Sequence, residues 1–173
     1  MYNPKEDSFF LSEHLAKYLK NKSKNIKILD MGTGSGIQAE TCLKSGFKNI
    51  LCADIDETAV RNAGKKFKSV KSDLFSNING KFDLIIFNPP YLPENKYDRE
   101  KDTAGGKKGD ETILHFLEQA ENHLAENGSI IILLSSLTPR KRINKLLRKY
   151  KKTKLAEKNI FFEKLEVWSI TSA

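Results

Sequence analysis

Cysteine is almost absent. Cys42 and Cys52 are the only two in 173 residues, too few for a disulfide framework and not spaced as a C-x-x-C pair, a usage that fits a reducing cytoplasm. Histidine is as sparse: His14, His115 and His123 are scattered without the spacing of a ligand motif, so no metal site is expected. Both cysteines read as small core residues. No apolar run approaches the roughly 18 residues of a membrane span. The opening Met1 to Asp7 has neither a basic n-region nor an apolar h-region, so no secretory signal is expected. Internal repeats and interdomain linkers are also missing. What remains, 39% hydrophobic and 30% charged residues, is the composition of a globular protein. A chain of this length buries roughly 70% of its unfolded surface and needs no staple to fold, so one α/β domain over residues 1–173 is expected.

Acidic residues are scarce in one place. Between Arg140 and Lys158 ten basic residues face a single acid, Glu157, giving +9, whereas the whole chain carries +8 and the remainder therefore −1. Such a segment could meet nucleic acid or an acidic partner. Against this, Ile143, Leu146, Leu147 and Tyr150 follow helical spacing, so the basic residues could equally solvate the outer face of an amphipathic helix.

Periodicity places a first helix within residues 1–25, capped by Asp7 or Ser8, with Leu11, Leu15, Tyr18 and Leu19 inward. Strands are expected at 26–31, 49–54, 66–71, 82–87 and 129–135, with helices at 37–44, 56–63 and 112–124 between them. The basic helix follows. Strands 154–162 and 165–171 close the chain as an antiparallel hairpin linked by Glu163-Lys164. Alternating strands and helices predict a mostly parallel, seven-stranded sheet covered on both faces. Residues 92–110 contain almost no aliphatic side chain, and a loop that long beside the site described next is expected to be an active-site loop.

Two motifs carry chemistry. Gly32-Thr33-Gly34-Ser35-Gly36 leaves the first strand and opens a helix, where bare backbone N–H groups can approach a ligand. Its G-x-G-x-G spacing is not that of dinucleotide enzymes. Asp54, at the end of the second strand, stands where a carboxylate accepts ribose hydroxyls. Asn88-Pro89-Pro90-Tyr91 halts an apolar strand at the crevice of an open α/β sheet. There the Asn88 carboxamide and the Pro89 carbonyl can accept hydrogen bonds from a planar –NH2 group while Tyr91 stacks on its face.

Together, Asp30-Met31-Gly32-Thr33-Gly34-Ser35-Gly36, Asp54, Asp73-Leu74-Phe75 and Asn88-Pro89-Pro90-Tyr91 resemble the S-adenosylmethionine-dependent class I methyltransferases that modify amino nitrogens. The opening Tyr2-Asn3-Pro4-Lys5-Glu6-Asp7-Ser8-Phe9-Phe10-Leu11 and the segment Ala104-Gly105-Gly106-Lys107-Lys108-Gly109 are similar to the HemK-type protein-glutamine N5-methyltransferases of the archaeal and eukaryotic branch. The resemblance implies a Rossmann-like domain. It also implies methyl transfer to the side-chain amide of the Gly-Gly-Gln glutamine in a class I release factor, in the cytoplasm. By the same resemblance, Ser8, Asp30, Gly32, Gly34, Asp54, Asp73, Leu74 and Asn88 surround S-adenosylmethionine, with Asp30 and Gly32 at its methionine part, Asp54 at the ribose, and Asp73 with the Leu74 backbone at the adenine. Asn88, Pro89, Pro90, Tyr91 and Leu92 take the acceptor, with Asn88 and Pro89 as the catalytic groups. Ser8 stands where the family often has Thr. The separate helical substrate domain of the bacterial enzymes has no counterpart in the roughly 25 residues before the first strand. Related enzymes pair with a small zinc-binding activator, and the lysine-bearing third strand could frame such a docking edge or guard it. Three alternatives stay open: an N6-adenine methyltransferase of DNA or RNA, a protein-lysine methyltransferase, and a non-catalytic cofactor-binding scaffold or RNA-binding module.

Overall fold

A computed structural model of the chain describes residues 4–91 and 108–172. The elements run α1 (Glu6–Leu19), β1 (Ile28–Met31), α2 (Ile37–Lys44), β2 (Ile50–Asp54), α3 (Glu57–Ala63), β3 (Lys68–Lys71), β4 (Phe82–Phe87), α4 (Glu111–Ala120), β5 (Leu124–Ser135), α5 (Arg140–Leu146), β6 (Tyr150–Ile160) and β7 (Glu163–Ser172). One seven-stranded sheet has the order β3-β2-β1-β4-β5-β7-β6, so β3 and β6 are its edges. The first five strands are parallel, and β7 runs antiparallel to both β5 and β6. The expected fold class is therefore the observed one.

Both faces of the central strands are buried, and period-two alternation divides their side chains between two cores. Leu29, Ile85, Phe87, Ile130, Ile132 and Leu134 face one core together with α4 and α5. Ile28, Leu84, Ile86, Ile131 and Leu133 face the other, with Leu11, Leu15 and Leu19 of α1. Burial of each such aliphatic side chain contributes about 1.5–3 kcal/mol. Cys42 and Cys52 are fully buried in the second core, and burial raises both thiols well above their ordinary range.

Several boundaries differ from those the sequence predicts. The cap of α1 is Lys5, without a side-chain bond; Asp7 and Ser8 lie inside the first turn and point elsewhere. Helix α4 stops at Ala120, and β5 begins at Leu124 rather than 129, its register with β4 shifting between Phe82 and Leu84. Tyr150 is not on the basic helix: it opens β6, yet stays buried and donates to the Leu117 carbonyl at 3.0 Å. The hairpin link is Phe161-Phe162, not Glu163-Lys164, because Ile160 pairs with Glu163 and Asn159 with Lys164.

The basic segment is spread over α5, a 3-10 turn and β6, and much of its charge is met within the chain. Arg140 pairs with Glu166 at 2.8 Å, Arg142 with Asp110, Lys149 with Glu121 at 2.8 Å, Lys154 with Glu157 at 2.5 Å and Lys158 with Glu6 at 2.6 Å. Lys141, Lys145, Arg148, Lys151 and Lys152 are exposed.

Candidate active site

The carboxyl ends of β1, β2 and β4 open on a cavity of about 720 Å³. Ser8, Asp30, Gly32, Gly34, Asp54, Asp73, Leu74, Asn88, Pro89, Pro90 and Tyr91 all line it. Segments as far apart in sequence as α1 and β4 thus converge on one space. Leu92, with most of the 92–110 loop, Tyr2, Asn3 and Ala104 to Lys107, lies outside the described residues.

The glycine loop is shaped by β1 and its neighbours. Gly32 has φ +61°, and a Cβ there would lie 3.3 Å from a ring carbon of Phe87, so a side chain would be both strained and crowded. The Gly34 N–H donates to Asp54 Oδ2 at 2.8 Å, and the Asp56 N–H donates to Oδ1 at 2.9 Å. Each oxygen of Asp54 therefore already holds a backbone donor, which fixes the carboxylate at the cavity wall. Further along the wall, Ser72 Oγ donates to the Leu74 carbonyl at 2.6 Å and accepts from the Asn77 N–H at 3.0 Å. That turn holds Leu74 at φ +46°, a conformation that costs a branched side chain energy and that clusters at ligand sites. Asp73 beside it is exposed.

Asp30 is 1% exposed, and its Oδ2 accepts from Thr33 Oγ1 at 2.6 Å and from the Ala39 N–H at 3.2 Å. It ties the glycine loop to the start of α2. Burial pushes its carboxyl up from 3.8 to about 7; the two hydrogen bonds oppose this and the charge of Asp54 adds to it. The folded state thus favours neutral Asp30, and this contribution to stability is full below pH 3.8 and lost as pH rises through about 7. Asn in its place keeps the accepting oxygen and cannot ionise. The melting temperature of Asp30→Asn, relative to the wild-type chain, should climb between pH 4 and pH 7 and level off above, in thermal unfolding followed by circular dichroism. A difference independent of pH would refute the assignment.

Asn88 sits at the end of β4, where Pro89 and Pro90 forbid further ladder bonds. Its Nδ2 donates to Asp7 Oδ2 at 2.8 Å, with Ser8 Oγ at 3.5 Å. A carboxylate can only accept, so this contact fixes which end of the carboxamide is the amine. The oxygen is turned the other way: Asn88 Oδ1 is the one buried side-chain polar atom with no hydrogen-bond partner among the described residues. A buried acceptor left unpaired costs about 1–3 kcal/mol, which a ligand N–H would recover. Asp7, 6% exposed, orients Asn88, a role that its place in the first turn of α1 does not reveal in the sequence. The role of Gln38 is not revealed there either. Its amide donates to the Ser8 carbonyl at 3.0 Å and its oxygen accepts from Ser12 Oγ at 3.0 Å, locking α1 to α2 beneath the site. Ile160, Glu163 and Leu165 of the C-terminal hairpin complete the wall. The Thr138 hydroxyl, in the segment between β5 and α5, donates to the Tyr91 carbonyl at 3.3 Å and ties that segment to the Asn-Pro-Pro-Tyr turn.

Comparison with known proteins places this geometry among methyltransferases. The family model described as "Methyltransferase small domain" matches residues 8–163. A Methanocaldococcus jannaschii protein, provisionally named a protein N5-glutamine methyltransferase, is 41% identical over 159 residues, 84% of this chain and 78% of that one. The release factor glutamine methyltransferase of Agrobacterium fabrum is 31% identical over 150 residues, 73% of this chain but 52% of its own length. Among solved structures, the E. cuniculi Mtq2-Trm112 complex, described as responsible for methylation of the eRF1 translation termination factor, superposes with a TM-score of 0.79 at 24% identity. That match covers 99% of this chain and 98% of the other.

Proposed function

The chain belongs to the methyltransferase small domain family, and from that premise we propose that it is an S-adenosylmethionine-dependent enzyme that methylates the side-chain amide nitrogen of the Gly-Gly-Gln glutamine in a class I release factor. The reading takes residues 1–173 as one catalytic domain acting in the cytoplasm, with 92–110 as its active-site loop. The observation that carries it is Asn88, whose amine is held by buried Asp7 and whose oxygen is buried at the cavity wall without a partner. That arrangement calls for a ligand with an N–H to donate. The similarity to two glutamine methyltransferases favours a glutamine amide over the other planar amines.

S-adenosylmethionine supplies the methyl group, carried on a positively charged sulfur. The residues present fit it. Asp54, at the end of β2, would take the ribose; Asp73 and the Leu74 backbone would take the adenine; Gly32 and Gly34 present backbone to the methionine part. Asp30, 1% exposed, serves the methionine part through the loop, which it holds in shape by its bonds from Thr33 and Ala39.

An amide nitrogen is a poor nucleophile, since its lone pair is delocalised into the carbonyl. The chain's contribution is therefore placement and charge. Asn88 Oδ1 and the Pro89 carbonyl accept the two N–H bonds and aim the nitrogen; Tyr91 packs on the amide plane. Fixing reactants in this way can supply on the order of 7–11 kcal/mol. The same two oxygens stabilise positive charge as it grows on the nitrogen. No side chain is needed as a base: the extra proton leaves to solvent once the nitrogen is alkylated.

The test offers methyl-labelled cofactor with a Gly-Gly-Gln release factor, and in parallel with tRNA and DNA. Label on the glutamine, located by peptide mass spectrometry, is the expected result. Label in nucleic acid alone would overturn the reading. A small activator protein, zinc-binding in related enzymes, would dock on the β3 edge, where Lys68–Lys71 pairs with β2 on one side only.

A further inference from the structure

The exposed large hydrophobic side chains among the described residues are Phe9, Ile55, Leu137, Phe161 and Phe162. All five stand at the end of the sheet where the cavity opens: in the first turn of α1, directly after β2, directly after β5, and at the β6–β7 turn. The last two are extreme, at 99% and 96% exposure. Phe161 also adopts φ +45°, a backbone conformation that favours Gly or Asn in a two-residue hairpin turn and penalises an aromatic. Neither solvation nor turn chemistry selects Phe-Phe at this point, and outliers of that kind accumulate at functional positions.

The tip is firmly mounted. Ser135 Oγ donates to Glu163 Oε1 at 2.5 Å, and the backbone N–H of Ser136 donates to the Lys164 carbonyl at 2.8 Å. Lys158 pairs with Glu6 at 2.6 Å, bracing β6 against α1. Ile160 and Glu163, which flank the pair, line the same cavity as Asn88 and Tyr91. A macromolecule whose side chain reaches Asn88 approaches this end of the sheet, the end that carries the two rings.

We propose that Phe161 and Phe162 form a docking knob for the protein methyl acceptor, seated on an apolar surface of that protein beside its target glutamine. This rests on the reading of the site as a protein-glutamine methyltransferase. Rigidly presented aromatics at the centre of a contact are the side chains that carry binding energy. The knob recruits the acceptor and leaves both the cofactor pocket and the chemistry at Asn88 untouched.

Steady-state kinetics of the full chain with a full-length Gly-Gly-Gln release factor test it, comparing wild type with Phe161→Ala/Phe162→Ala. The release-factor KM should rise at least about tenfold, while kcat and the cofactor Kd hold. Phe161→Gly guards against a folding artefact: relief of the positive φ should keep or raise the melting temperature while KM still rises. A wild-type KM in the double variant overturns the docking knob alone. So does a wild-type dimer that the double variant turns into a monomer, since the occupant would then be a second copy. A wild-type chain that leaves the release factor unmethylated even with the activator protein supplied defeats the underlying reading, and the knob with it.

Discussion

Asn88→Ala should lower kcat for methyl transfer by about 10²–10³-fold or more, the scale of losing one preorganised charge-stabilising contact. The reason lies in the pairing around the side chain. Asp7 occupies the amine, while the oxygen has no donor among the described residues and is held for the acceptor. Alanine removes both the positioning of the nucleophile and one of the two oxygens facing its growing charge. Titration calorimetry should find cofactor affinity changed only modestly, because Asp54 and the glycine loop remain. The substitution also removes one partner of Asp7, buried at 6% exposure, at a cost of about 1–3 kcal/mol in stability. Asp7→Ala should give a smaller fall in kcat, because Asn88 persists but can rotate. Asp7→Asn should recover most of it, since an amide oxygen can take the same bond. Near-normal turnover in Asn88→Ala would sink the mechanism.

Asp54→Ala should weaken S-adenosylmethionine binding about 10²-fold or more, read as Kd by calorimetry. Hydrogen bonds to a charged carboxylate contribute about 1.5–3 kcal/mol each, and a ribose offers two hydroxyls. A second loss follows from this structure. The Gly34 and Asp56 N–H groups both rest on Asp54, one on each oxygen, so alanine also releases the loop that faces the ligand. Asp54→Asn is not conservative for the same reason: its amine would confront one of those donors. It too should bind weakly, with kcat near normal once the cofactor is saturating. A Kd close to wild type would show that the ribose is held elsewhere.

The sheet and the cavity wall were legible because their signals are local. Period-two burial, the glycine loop after β1 and the proline stop after β4 each occupy a few adjacent residues. Asp7 was not legible in its role. Its partner Asn88 is 81 positions away, and a first-turn acid looks the same whether it caps a helix or orients a carboxamide. The hairpin link was misread for a different reason. Phe161 and Phe162 carry strong strand propensity, so composition extended β6 through them and moved the turn to Glu163-Lys164; cross-strand pairing of Ile160 with Glu163 overrode it. Tyr150 shows the converse. It fits the helical stripe of Ile143 and Leu147, yet lies on β6, buried in the same core from a different element.

The placement of β7 sets an order of events at the ribosome. It lies between β5 and β6 although it follows both in sequence. While the chain is being made, β5 therefore has no partner on that side, and β6 nothing to join, until residues 163–172 emerge. A nascent chain carrying the complete glycine loop and Asn88 still presents the apolar edge of β5 and lacks the Glu163–Leu165 wall of its cavity. The competence to hold an acceptor thus waits for β7, whose pairing also closes off an edge prone to aggregation.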